Sequence, residues 1–173
     1  MNSKYLLASW VCGAILVLDQ LTKWWVHKTM ALHQSIEILP NFARLTYIRN
    51  TGAAFGFFAG VQSNWRMVFF ILVSLIAIAA ILYLLKTIPP KRSGQIVSLS
   101  LVLGGATGNL IDRLRWGEVI DFIDLHWHRY HWPAFNIADS AITMGVIGLL
   151  ILMSRKGSMA NPESETRNPH RSL

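Results

Sequence analysis

The sequence predicts an all-α membrane bundle of four transmembrane helices with a small extracytoplasmic β element. Three observations predict it. The 173-residue chain is 53% hydrophobic and only 14% charged, and its apolar residues gather in helix-length runs. Basic residues mark the short segment between the second and third runs and flank the outer ends of the first and fourth. Between the first and second runs, Ile36–Leu39 and Phe42–Ile48 are rich in β-branched and aromatic residues and are divided by Pro40-Asn41, the pattern of a hairpin.

The spans are expected at about 5–25, 66–85, 95–114 and 136–153, all in one domain over residues 1–156. Met67–Leu85 carries no charge at all and is long enough for a hydrocarbon core of about 30 Å. The first run follows Lys4 as a signal peptide would. It is too long and lacks a small-residue cleavage site, so it reads as a retained span. Lys86, Lys91 and Arg92 lie between spans two and three without an acid among them, and Arg155 and Lys156 follow span four. Counted over short loops, that bias places the 2–3 connection and both termini in the cytoplasm, with the 1–2 and 3–4 connections outside. Trp10, Trp24, Trp25, Tyr47, Trp65, Trp116, Trp127 and Trp132 supply interfacial aromatics. Residues 157–173 are Ser, Asn, Pro and charge, and read as a disordered cytoplasmic tail. Cys12 is the single cysteine, so no intrachain disulfide forms, and a small apolar role mid-span is expected. The net charge of +7 does not point to nucleic acid, because no basic stripe with interleaved aromatics lies outside the spans.

The chemistry-bearing residues are acids in or beside these runs: Asp19, Asp112, Asp121, Asp124 and Asp139. A carboxylate at membrane depth costs about 2.5–3.5 kcal/mol on insertion scales, so it is rare there and generally functional. Asp19 and Lys23 stand i,i+4 with the acid first, the favourable order for an ion pair on one helix face. Asn109, Asp112 and Arg113 share a face at the outer end of span three, where Arg113 can clamp a carboxylate or a lipid headgroup, or fix Asp112. Gly104 and Gly108 just before them form a small-x-x-x-small pattern, expected to serve close helix packing and to let an extended substrate backbone approach. Asn136 and Asp139 share a face at the start of span four. An acid there suits the helix dipole, but that does not account for Asp121 across the connection. Paired carboxylates at one membrane boundary suit general acid–base catalysis. His126 and His128 alternate as co-ligands on a strand would, with His131 nearby, but the interleaved Trp127, Tyr130 and Trp132 favour an interfacial aromatic loop, and no metal or other cofactor is expected. A proton-coupled carrier would use the same acids as a relay; four spans without a visible repeat speak against it.

Five segments together resemble the lipoprotein signal peptidase (signal peptidase II) family over roughly residues 4–155. They are Asp19-Gln20-Leu21-Thr22-Lys23, Asn50-Thr51-Gly52-Ala53-Ala54-Phe55, Gly104-Gly105-Ala106-Thr107-Gly108-Asn109-Leu110-Ile111-Asp112-Arg113, Val119-Ile120-Asp121-Phe122 and Phe135-Asn136-Ile137-Ala138-Asp139. The resemblance implies an aspartic endopeptidase of the bacterial inner membrane, a globomycin target. It would remove signal peptides from diacylglyceryl-modified prolipoproteins by cutting just before the lipidated cysteine. It carries the catalytic pair onto Asp121 and Asp139, the V-x-D-F pattern selecting Asp121 over Asp124, which is expected to be solvated. It carries supporting roles onto Asp19, Asn50, Asn109, Arg113 and Asn136. Lys23, Gly52 and Asp112, in the same segments, are grouped with these.

Overall fold

The computed structural model describes residues 3–52 and 63–158. Four long helices, α1 (Ser3–Thr29), α2 (Ser63–Thr87), α3 (Ser93–Trp116) and α4 (Ile137–Ser158), are each long and apolar enough to cross a membrane. They overrun the expected spans by a few residues at most ends, because helix propensity continues past the apolar window. The C-terminal tail beyond Ser158 and the Ala53–Phe55 part of the second motif lie outside the described residues.

Helix α3 is the centre of the bundle and packs against α1, α2 and α4. Its glycines explain the close approach. A Cβ on Gly104 would meet Cys12 O and Ile15 at 3.0 Å, one on Gly105 would run into the Ala138 carbonyl, and one on Gly108 would run into the Asp19 carboxylate. These three are packing positions between helices. The other faces of α1, α2 and α4 expose Val17, Leu21, Ile76, Tyr83, Leu150 and similar side chains, the inverse of a soluble bundle and suited to lipid.

Four antiparallel strands cap one end in the order β1-β2-β3-β4. Strands β1 (Ser35–Leu39) and β2 (Ala43–Asn50) form the expected hairpin, turning through Asn41 at φ 59°. Strand β2 runs past the Phe42–Ile48 stretch read from sequence and ends at Asn50. Strands β3 (Val119–Trp127) and β4 (Tyr130–His131) come from the α3–α4 connection and were not anticipated. Helix α3 stops at Gly117, which takes φ 74° and donates its N–H to Arg113 O at 2.9 Å. This left-handed cap releases the chain directly into β3. Because β2 pairs with β3, both interhelical connections lie at the same end of the bundle. The α2–α3 turn and the start of α1 lie at the other end. There Lys4, the basic residue that precedes the first span, is buried and donates to the Lys86 and Ile88 carbonyls, closing the C-terminus of α2. Tyr47, expected at the interface, is also buried, in an apolar cluster with Val26, Met30, Ile120 and Phe122 that seats the sheet on α1.

Candidate active site

The sheet brings together residues that are far apart in sequence. Ile48 lies opposite Asp121, and Asn50 opposite Val119. Asn50, at the end of β2, donates Nδ2–H to Asp121 Oδ2 at 2.8 Å, while its own Oδ1 accepts the Gly52 N–H at 2.8 Å. An amide oxygen that receives an N–H has its nitrogen committed to the other side, so the Gly52 backbone orients Asn50 toward Asp121. Gly52 is required for this turn: its φ is +85°, and a Cβ would collide with the Phe70 ring.

Asn136 does the same from α4. It is the N-cap residue, and its Oδ1 accepts the Asp139 N–H at 2.9 Å while Asp139 Oδ2 accepts the Asn136 N–H at 3.3 Å. This reciprocal pair is a capping box with aspartate in the third position. The cap leaves Asn136 Nδ2 to donate to Asp121 Oδ1 at 2.7 Å, with Ile120 O and Asn109 Oδ1 also in range. One asparagine thus holds both Asp121 and Asp139. Asn109 completes the arrangement by donating Nδ2–H to Asp139 Oδ1 at 2.8 Å. The two carboxylates receive four N–H bonds in all, two apiece.

Asp121 is 1% exposed, and Asp139 is half-buried. Burial pushes the Asp121 carboxyl up to about 7. The Asn50 hydrogen bond opposes that rise, the nearby Asp139 charge adds to it, and Asn136 and Lys23 oppose it again. A cavity of about 280 Å³ opens beside Asp121, lined by Ile48, Arg49, Asn50, Thr51, Pro133 and Ala134.

A second polar cluster supports the first. Lys23 is 2% exposed and lies 2.9 Å from Asp19 Oδ2, Asp112 Oδ2 and Asn109 Oδ1. The i,i+4 pair read from sequence is therefore half of a buried triad. Asp19 Oδ1 accepts the Ala138 N–H at the start of α4, and Asp112 Oδ2 accepts the Ile120 N–H at the start of β3. The triad so ties α1 and α3 to the two segments that carry Asp139 and Asp121. Gln20 joins it, its Nε2 within 3.2 Å of Asp19, Asp112 and the Gly108 carbonyl. Gln20 was missed as a site residue, although an amide beside Asp19 in an apolar run was a usable signal.

Other expectations are corrected. Arg113 does not fix Asp112; Lys23 does. Arg113 donates to Asn109 O at 3.3 Å and lies over the Phe70 ring, 5.2 Å from its centroid. Asp124 is not solvated: it is buried, and His131 Nδ1 lies 2.9 Å from its Oδ1. His126 and His128 do not share a face, because His128 sits in the turn at φ 54°. His126 pairs across the hairpin with His131 and stacks on it, ring centroids 5.0 Å apart.

The family model described as signal peptidase (SPase) II matches residues 11–155. The lipoprotein signal peptidase of Syntrophus aciditrophicus is 47% identical over 90% of this chain and 97% of its own length. That of Geobacter metallireducens is 48% identical over 90% of this chain and 94% of its own. A bacterial membrane enzyme solved by the in meso method superposes with a TM-score of 0.77 at 36% identity, covering 94% of each chain. The chain belongs to the signal peptidase II family.

Proposed function

We propose that this protein is a membrane aspartic endopeptidase in which Asp121 and Asp139 are the catalytic pair. Family membership makes it a peptidase of the bacterial inner membrane that processes lipoprotein signal peptides. The finer reading is that it cuts diacylglyceryl-modified prolipoproteins just before the lipidated cysteine, and that globomycin-type peptides block it. The observation that carries this reading is the Asn136 side chain, which donates to Asp121 while capping the helix turn that holds Asp139.

Two carboxylates so coupled share one proton. The ionised member takes a proton from water as the water oxygen attacks the scissile carbonyl carbon. The protonated member supports the developing oxyanion, and the leaving amine is protonated as the C–N bond breaks. Asp19, Lys23, Asn50, Gly52, Asn109, Asp112, Arg113 and Asn136 hold this geometry or orient the substrate, and no step calls for a metal. Residues 1–156 form the catalytic unit, and 157–173 a cytoplasmic tail. Both termini face the cytoplasm, and the dyad works near the extracytoplasmic surface. In support, the α1–α2 and α3–α4 connections share one sheet, away from the basic α2–α3 turn.

The deciding experiment is cleavage of a lipidated prolipoprotein by the purified protein and its Asp121→Asn and Asp139→Asn variants. Cleavage by the parent and by neither variant is expected. Activity in both variants would sink the dyad. Reporter fusions at Lys91 and after Lys156 should both read cytoplasm, and a periplasmic signal at either would invert the orientation.

A further inference from the structure

We propose that Arg49 is the head of a phosphate-binding site for a phospholipid, in the leaflet on the sheet side of the membrane. The site lies on the face of the sheet turned away from Asp121.

Register separates the two faces of β2. Arg49 lies opposite Ile120, and Ile48 opposite Asp121. Residues paired across a ladder point to one face, and neighbours along a strand to opposite faces. Arg49 therefore shares the face of Tyr47 and Ile120, the face seated on α1. Asn50 and Asp121 use the other face.

Three elements fix the Arg49 side chain. Its Nε–H donates to the Tyr47 hydroxyl at 3.0 Å, and that hydroxyl lies 2.8 Å from His27 Nδ1 on α1. Its Cζ lies 5.1 Å from the centre of the Trp116 ring at the end of α3, and the His27 ring packs 5.1 Å from the same indole. An arginine stacked by its face and held through Nε keeps the fork of its two terminal nitrogens free. Among the described residues those four N–H groups make no hydrogen bond. The Glu118 carboxylate stands 3.9 Å from Nη1, too far for one. A guanidinium oriented this firmly, with four unused donors on a side chain 24% exposed, is built for a ligand rather than for Glu118.

Depth and charge identify that ligand. Trp116 is the last residue of α3, and His27 lies in the last turn of α1. Exposed Trp24, Trp25 and Trp116 mark the level where hydrocarbon gives way to headgroups. Arg49 stands at that level, where lipid phosphates lie. Exposed Lys28 and Arg115 occupy the same two helix ends and outweigh the single acid, Glu118. The guanidinium fork matches two phosphate oxygens at once. Leu114, 65% exposed, offers apolar surface on α3 for the lipid's chains. A diacylglyceryl group carries no phosphate, so the site serves a resident phospholipid and does not duplicate recognition of the proposed substrate.

Native mass spectrometry of the full-length protein in detergent tests this, with dioleoyl phosphatidylglycerol, dioleoylglycerol and inorganic phosphate as probes. The parent should retain one phosphatidylglycerol and no dioleoylglycerol. Arg49→Gln should weaken retention by at least about tenfold, the worth of one charge-assisted hydrogen bond. Arg49→Lys should restore it only in part, because an ammonium lacks the fork. Arg92→Gln, at the opposite end of α3, should change nothing. Glu118→Gln removes the competing acid and should tighten retention, and this variant decides alone if Arg49→Gln does not accumulate. Equal retention by the parent and Arg49→Gln, or weaker retention in Glu118→Gln, would overturn the site. Inorganic phosphate bound as tightly as the lipid, and lost in Arg49→Gln, would assign it to a free anion and overturn the lipid reading.

Discussion

Two clusters of buried carboxylates lie side by side in this protein, and they are neutralised differently. Around Lys23, Asp19 and Asp112 each contact a cation at 2.9 Å and each receive a backbone N–H from a neighbouring segment. Around Asn136, Asp121 and Asp139 are held by amide N–H bonds, and no ammonium or guanidinium bonds either of them among the described residues. A buried ammonium holds its carboxylates in place by direct ion pairs and makes them mechanical. Neutral amides fix position while leaving the protonation state free to change. The same residue type is thus a fastener in one cluster and, in the proposed mechanism, a proton carrier in the other.

The sharpest break in that comparison is to neutralise each cluster in turn. Asp121→Asn and Asp139→Asn are nearly isosteric and should abolish cleavage while leaving abundance nearly normal. General acid–base groups contribute roughly 10²–10⁴-fold each, and members of one unit lose about as much singly as together. The double variant should therefore be little worse than either single one in an in-membrane cleavage assay at matched expression.

Lys23→Met should act in the opposite way. It leaves two carboxylates without their cation at a fully buried site, a loss of about 3–5 kcal/mol when one partner of a buried pair is removed. Thermal unfolding in detergent should show a lower midpoint and the membrane should hold less protein. Normal stability would mean that the triad is not the fastener described.

The pH dependence separates the clusters without changing a charge by mutation elsewhere. Asp121 binds its proton more tightly in the folded protein, at about 7, than an unfolded chain does. Its contribution to stability is therefore fully present below about pH 4 and is lost as pH rises through about 7. Asp121→Asn should flatten that portion of the stability profile. Cleavage by the parent should also fall above about 7, where the dyad loses its shared proton. A parent profile level across this range would contradict the buried, proton-holding Asp121.

The smallest effect is expected at the β3–β4 hairpin. Asp124→Asn weakens the contact with His131, and replacing His126, His128 and His131 together loosens the hairpin tip, yet none of these residues bonds Asp121 or Asp139. Substantial cleavage should survive both changes and treatment with a chelator. Activity lost and then restored by zinc would place chemistry in the histidine cluster instead.

The sequence by itself determined the four spans, the β1–β2 hairpin, the Asp19–Lys23 pair and the packing role of Gly104 and Gly108. Each is a local signal: unbroken apolar length, alternation around Pro40-Asn41, or fixed helical spacing, and a membrane makes such signals strong because polar residues in a span are costly. The family motifs also singled out the residues that prove to be neighbours. Only the tertiary structure decided how they meet. Strand β3 was hidden because its register depends on β2, and the Asn50–Asp121 bond joins residues 71 apart in sequence. The burial of Asp124, the assignment of Lys23 rather than Arg113 to Asp112, and the capping box that joins Asn136 to Asp139 follow from which elements pack together. Hydrogen-bond partners between distant elements are set by that packing, and no periodicity within one segment records it.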